Sequence, residues 1–183
     1  KEMYEKRRDW EKLVRAMERE TELLDESDRS MRYLEMAQLA TEKLRKPEIC
    51  IDLWQKVLQY DAEQPDALTA LSGLYERARE WQPLAGVLEK QIERASSTDE
   101  QKTLLTKLGT IYGEKLNDDR GAVSAYGRLL SIDPEDKRAQ EQLKRRYVAI
   151  KAWDELEAFY EPTGKFDELI RTFEREAGNK DAT

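Results

Sequence analysis

The sequence predicts an all-α chain of about ten helices paired antiparallel, and three observations carry that prediction. Only eight Gly and five Pro occur in 183 residues, and most fall where helices would begin or end. Apolar residues recur at helical spacing through the long stretches between those breaks. The chain also repeats itself with a period of 71–72 residues.

The period rests on large anchors. Tyr4, Trp10 and Leu13 recur as Tyr75, Trp81 and Leu84, shifted by 71, and again as Tyr147, Trp153 and Leu156, shifted by a further 72. Between them Leu34, Ala37 and Ala40 match Leu105, Leu108 and Ile111 at 71, whereas Ile51, Trp54, Leu58 and Asp61 match Val123, Tyr126, Leu130 and Asp133 at 72. One residue has therefore been gained after Ile111. The repeats divide the chain into 4–74, 75–146 and a partial, irregular 147–183.

Taken in order, Lys1 to Arg8 reads as the tail of a helix. Asp9 caps the next, Trp10 to Leu24, whose Trp10, Leu13, Val14 and Met17 share a face. After the polar turn Asp25–Asp28, a helix from about Arg29 to Arg45 carries Tyr33, Leu34, Met36, Ala37 and Ala40. Pro47 and Pro65 each open a helix at its first position, where a missing N–H costs nothing; these run to Tyr60 and Arg79. Trp81 to Ala95 follows, then a turn in which Thr98 and Gln101 are placed to form a capping box.

Two helices flanking the turn Asn117-Asp118-Asp119 come next, then one to Ile150, then the short Trp153–Tyr160. Pro162-Thr163-Gly164 is the clearest break. The last helix, Phe166 to Ala177, echoes Trp153-Asp154-Glu155-Leu156 as Phe166-Asp167-Glu168-Leu169, only 13 residues on, and Gly178-Asn179 is placed to end it.

Within Leu104–Pro134 the residues Leu108-Gly109, Tyr112, Ala122, Tyr126 and Pro134 resemble a tetratricopeptide repeat, a helix–turn–helix unit of about 34 residues. One residue more than the standard spacing separates its halves. The resemblance implies a right-handed α-α superhelix, a solenoid in which each unit contacts only its neighbours. It also implies a protein that binds partners without chemistry of its own. The chain starts at Lys1 without Met, and its period and charge suggest a segment of a larger bacterial multi-repeat protein.

Composition agrees with thin stacked pairs, since charged and apolar residues each make up 39%, too charged for one thick core. The net charge of −7 argues against nucleic acid, which is normally met by a basic surplus. No apolar run is long enough for a membrane span. The lone Cys50 allows no intrachain disulfide and fits a reducing, cytoplasmic setting. With no histidine, Ser–His–Asp and Cys–His catalysis and ordinary zinc sites are excluded. No cofactor and no enzyme activity are expected.

Several conspicuous residues are expected to be structural. The repeated Trp and Tyr recur inside apolar stripes and read as core rather than as a stacking platform. Cys50 aligns with Ala122 at a small, close-packed position. Asn117–Gly121 lacks the Gly placement and the bidentate Glu of a calcium loop. Lys144-Arg145-Arg146, the one tight basic run, reads as a solvated helix face.

In the family the first helix of each unit lines the inner surface. Carrying those positions over gives a candidate partner groove of Gln38, Thr41 and Glu42; Thr69, Gly73, Glu76 and Arg77; Thr106, Lys107, Thr110, Gly113 and Glu114; and Glu141, Gln142 and Arg145. These are polar or small on helices with strong apolar stripes. Gly73 and Gly113 each cost about 1 kcal/mol of helix propensity relative to Ala, and read either as close contact or as room for a ligand backbone. One subtype of the family binds acidic chaperone tails through Lys and Asn, but Thr69, Gly73, Thr106 and Thr110 stand there instead. The groove suits an extended peptide or an amphipathic helix. Two alternatives are an assembly scaffold of the half-repeat type associated with RNA processing, and self-association through apolar ends bearing Tyr4, Leu13, Phe166 and Leu169.

Overall fold

The computed structural model describes residues 9–44 and 46–180. Among them it holds ten α-helices and no strand: α1 (Trp10–Thr21), α2 (Glu26–Lys43), α3 (Pro47–Tyr60), α4 (Pro65–Ala78), α5 (Trp81–Arg94), α6 (Thr98–Thr110), α7 (Asp119–Ile132), α8 (Lys137–Ile150), α9 (Trp153–Tyr160) and α10 (Phe166–Lys180). A π-helical turn, Ile111–Lys115, extends α6, and a 3-10 turn, Glu161–Thr163, leads into α10. The expected helical tail Lys1–Arg8, with Tyr4, lies outside the described residues. The helices form two compact units, one closing at Arg94 and the other opening at Ala95.

The helix ends show local chemistry at work. Pro47 and Pro65 stand in the first turns of α3 and α4 as expected. Asp118 and Asp136 cap α7 and α8, each accepting a backbone N–H at 2.9 Å, from Gly121 and Ala139. The N-cap sits one residue earlier than expected and the capping box does not form there: Ser97 Oγ accepts from Glu100 N–H at 3.2 Å, while Gln101 reaches back to the Ala95 carbonyl. Between α1 and α2 the turn is also earlier. Arg29 donates to the carbonyls of Leu24 and Glu22 at 2.8 and 3.1 Å, so a side chain of α2 satisfies the open end of α1. Gly178 does not end α10, which continues through Lys180.

Two helix ends share one backbone device. Arg79 and Lys151, 72 residues apart, are both left-handed, with φ of 59° and 57°. Each closes its helix with a reach-back bond, from Glu80 N–H to Tyr75 O and from Ala152 N–H to Tyr147 O, both 2.9 Å.

Within each unit consecutive helices run antiparallel. In the first unit Lys43, ending α2, lies over the Trp10 ring that starts α1, while Tyr33, in the first half of α2, stacks on Tyr60 at the end of α3. Arg94, ending α5, pairs at 2.9 Å with Glu63 just before α4. In the second unit Lys102 of α6 meets Asp133 after α7 at 3.2 Å, and Arg146 of α8 meets Asp119 of α7 at 2.7 Å. These are the helical pairs that the resemblance implied.

The core lies between paired helices. Leu13, Leu84 and Leu156, at the same repeat position, are almost wholly buried, as are Cys50 and Ala122. Burial pushes the Cys50 thiol above its usual range, as befits a packed small residue. Trp54 and Tyr126 are buried in their respective units, and each finds a threonine. Trp54 Nε1 donates to Thr41 Oγ1 at 2.8 Å, and the Tyr126 hydroxyl lies 3.4 Å from Thr110 Oγ1. The Tyr126 ring sits on Gly109, where a Cβ would stand 2.7 Å from Cζ.

The gained residue has a structural address. The shift from 71 to 72 begins after Ile111, and Ile111–Lys115 is the π-helical turn, closed by Leu116 N–H to Ile111 O at 3.0 Å. A π turn is how a helix takes in one extra residue without losing its direction. The turn brings Gly113 beneath Arg146, whose Nη2 lies 2.6 Å from where a Cβ would be. Gly113 is therefore closed by a side chain and offers no room to a ligand. Gly73, by contrast, has nothing within 4 Å of its missing Cβ, so close helix contact does not explain it.

Arg146 also corrects the reading of the basic run, because its side chain is 10% exposed and paired with Asp119. At the matching position of the preceding repeat stands Leu74, so the second unit has placed an ion pair where the first has an apolar residue.

Two stability predictions follow from these contacts. Gly109→Ala must push into Tyr126 and is expected to cost about 1–3 kcal/mol, whereas Gly73→Ala, in open space, should stabilise by about 0.5–1 kcal/mol through helix propensity and chain entropy. Denaturant titration of both variants compares the signs directly, and equal effects would contradict the packing. Asp119→Ala strands the Arg146 guanidinium and is expected to cost roughly 2–3 kcal/mol, below the range for fully buried pairs because Asp119 keeps some water. Arg146→Leu, which restores the residue type of the earlier repeat, should cost less than Asp119→Ala in the same titration.

Candidate functional site

The candidate site lies where α8, α9 and α10 meet. In α8 the residues Ala139, Leu143 and Arg146 point inward, which turns Glu141, Lys144 and Arg145 outward or sideways. Helix α9 has 8 residues against 14 in α8, so it is shorter by about 9 Å and leaves the first half of α8 uncovered. The 3-10 turn and Gly164, at φ 63°, reverse the chain. Helix α10 then returns along the same side, held by Leu169 packed with Leu156 and Tyr160, and by a Trp153–Phe173 edge contact with centroids 5.5 Å apart.

Between α8 and α10 this leaves a cleft of about 560 Å³. That size falls within the range of ligand pockets. Its floor is apolar, with Val148, Leu156 and Tyr160, and its walls are charged. Glu141 and Arg145, two of the groove positions expected from sequence, line the α8 wall, and Glu168, Arg171 and Arg175 face them from α10. A second cavity of about 340 Å³ shares Lys144, Tyr160 and Glu168 with the first and is bounded by Leu130, Pro134 and Phe159. The two cavities adjoin at these shared residues.

Lys144 stands at the junction. It pairs with Glu141 at 2.8 Å, and its ammonium lies 5.7 Å from the centre of the Tyr160 ring. Partial burial pulls its pKa down, but the Glu141 hydrogen bond, with Tyr160 and the nearby Glu141 and Glu168 charges, outweighs that and holds it above the usual lysine value. The group stays charged at any physiological pH.

The other expected groove residues occupy the first helices of their pairs without forming one site. Gln38, Thr41 and Glu42 lie exposed on α2, and Thr69, Glu76 and Arg77 lie exposed on α4 beside the open Gly73. Thr41 is engaged by Trp54 and donates to the Ala37 carbonyl at 2.8 Å. On α6 the hydroxyls of Thr106 and Thr110 bond back to Lys102 O and Thr106 O at 2.8 and 2.9 Å, and Lys107 is half-buried beside them. Gly113 is buried and Glu114 exposed on the π turn. Gln142 is half-buried on α8.

Sequence reasoning missed Lys144, Glu168, Arg171 and Arg175. The available signal was the 13-residue echo, since a helix that starts so soon after Trp153 must fold back against α8. Of the ends expected to support self-association, Leu13 and Leu169 are buried, while Phe166, Ile170 and Phe173 are exposed on α10. Among the described residues no group of side chains is placed to hold a metal ion, and no helix is long and apolar enough to cross a membrane.

No protein-family model matches this chain, and no curated protein matches it. Solved structures similar to it include proteins with tetratricopeptide repeats. A crystal structure of MamA is 18% identical with a TM-score of 0.45, over 96% of this chain and 95% of that one. YrrB, titled a TPR protein with an unusual peptide-binding site, is 17% identical with a TM-score of 0.47, over 92% and 85%. A kinesin light chain with nearly identical TPR-like repeats, from Podosopora anserina, is 15% identical with a TM-score of 0.44, over 95% and 92%.

Proposed function

We propose that this chain is a non-catalytic interaction scaffold, built of double repeats at 4–74 and 75–146 and a partial, irregular one at 147–183, that holds a segment of a partner protein against the first helices of its pairs. The observation that carries this reading is the α8–α10 cleft. Apolar floors with charged walls suit a peptide or an amphipathic helix, whose apolar residues enter while its polar groups stay at the rim. The polar outward faces of α2, α4 and α6 extend the same reading to the rest of the chain. A reducing, cytoplasmic setting fits the single buried thiol.

The test uses the full chain, immobilised and challenged with a displayed library of random peptides. Enrichment of discrete sequences is expected. Their affinity, measured by fluorescence anisotropy, should fall about tenfold, or ~1.4 kcal/mol, on Arg145→Glu. The same reversal at the exposed Arg138, on α8 outside the cleft, should leave affinity unchanged. Binding that Arg145→Glu does not weaken would remove the cleft as the site, and a library that yields no binder would remove the scaffold reading.

A further inference from the structure

The charges of the cleft are not evenly satisfied. Four basic and three acidic side chains line it. Glu141 is committed to Lys144 at 2.8 Å, and Glu176 to Arg175 at 3.6 Å. Glu168 lies within reach of the Lys144 charge. Arg145 on one wall and Arg171 on the other make no ion pair among the described residues. A chain of net charge −7 thus presents two unengaged guanidinium groups across an apolar floor. The adjoining cavity adds a second cation, Lys165, to an apolar lining of Leu130, Pro134 and Phe159.

From this charge pattern we infer that the cleft takes an acidic peptide segment with an apolar anchor. The anchor seats on the floor of Val148, Leu156 and Tyr160, and carboxylates on either side of it meet Arg145 and Arg171. The inference rests on the docking role proposed for this cleft and names the chemistry of its occupant. Guanidinium is suited to the task, because its planar fork binds a carboxylate through two parallel hydrogen bonds and gives up its hydration more readily than an ammonium does. Contacts at so open a rim are screened by salt, so the acidic preference must weaken as ionic strength rises.

Two synthetic fluorescein-labelled peptides test this, sharing one Leu–Phe core and flanked by Glu in one and by Lys in the other. Anisotropy against the full chain should show the Glu-flanked peptide binding at least tenfold more tightly at low salt, with the gap closing as salt is raised. The double reversal Arg145→Glu with Arg171→Glu should invert the preference toward the Lys-flanked peptide, a gain that misfolding cannot produce. Equal binding of the two peptides, or a preference that survives the double reversal, overturns the acidic assignment. If neither peptide binds while library-selected peptides do, the assignment fails and the scaffold reading stands; if no library peptide binds either, both fail.

Discussion

The structure depends on how closely two helices can approach within a pair. With so much of the chain charged, neither unit has the apolar material for a thick core, and burial must come from thin pairs pressed together. Gly109 beneath the Tyr126 ring is the clearest case, because the tyrosine occupies the space a Cβ would need. Gly121 repeats the arrangement in reverse, with Tyr112 lying 2.8 Å from its missing Cβ. The small residue and the large ring are one device, and it sets the spacing at which Leu105, Leu108, Ala122 and Leu129 are all excluded from water. In the first unit the large ring is Trp54, buried and fixed across the pair by Thr41. Once pairs are fixed this way, their outward faces carry no structural duty and are free to be polar.

The extra residue after Ile111 shows what such a pair does with an insertion. A loop would have taken it up silently, but here the helix stays intact and the residue is stored as a π turn. The consequence is lateral. Gly113 is turned toward α8, and the room it leaves is filled by the Arg146 guanidinium, which must then find a counter-ion. Asp119, in the first turn of α7, provides it. Arg146 Nε is left buried without a hydrogen-bond partner, a residual cost of the substitution of an ionic for an apolar contact. The ion pair is thus a local answer to a one-residue change.

Most of the fold was legible in the sequence because it follows from short-range rules: proline at first turns, Asp caps, apolar spacing and a period with large anchors. The errors fell where a distant group decides the outcome. The α1–α2 turn is set by Arg29 reaching two carbonyls of the preceding helix, which no local propensity encodes. Arg146 reads as surface in a run of three basic residues, and only the glycine opposite it, displaced by the π turn, makes it interior. The cleft was half legible. Glu141 and Arg145 were found from their place on the helix, whereas Glu168, Arg171 and Arg175 required knowing that α10 folds back against α8.

That fold-back is the physical origin of the cleft. An α9 as long as α5, with 14 residues, would cover α8 along its length and bury the surface around Glu141 and Lys144. With 8 residues it stops at Tyr160, opposite Lys144, and the chain must turn where apolar surface is still exposed. Helix α10 covers part of that surface through Leu169 and leaves the rest open between two charged walls. Lengthening α9 would therefore close the cleft by the same packing that stabilises the other pairs. Keeping it short forgoes buried apolar area, which in a chain this sparing of apolar residues is a real loss of stability. A partner segment that brings its own apolar side chain to the floor would recover that burial, and this gives the irregular end of the chain a physical reason to bind.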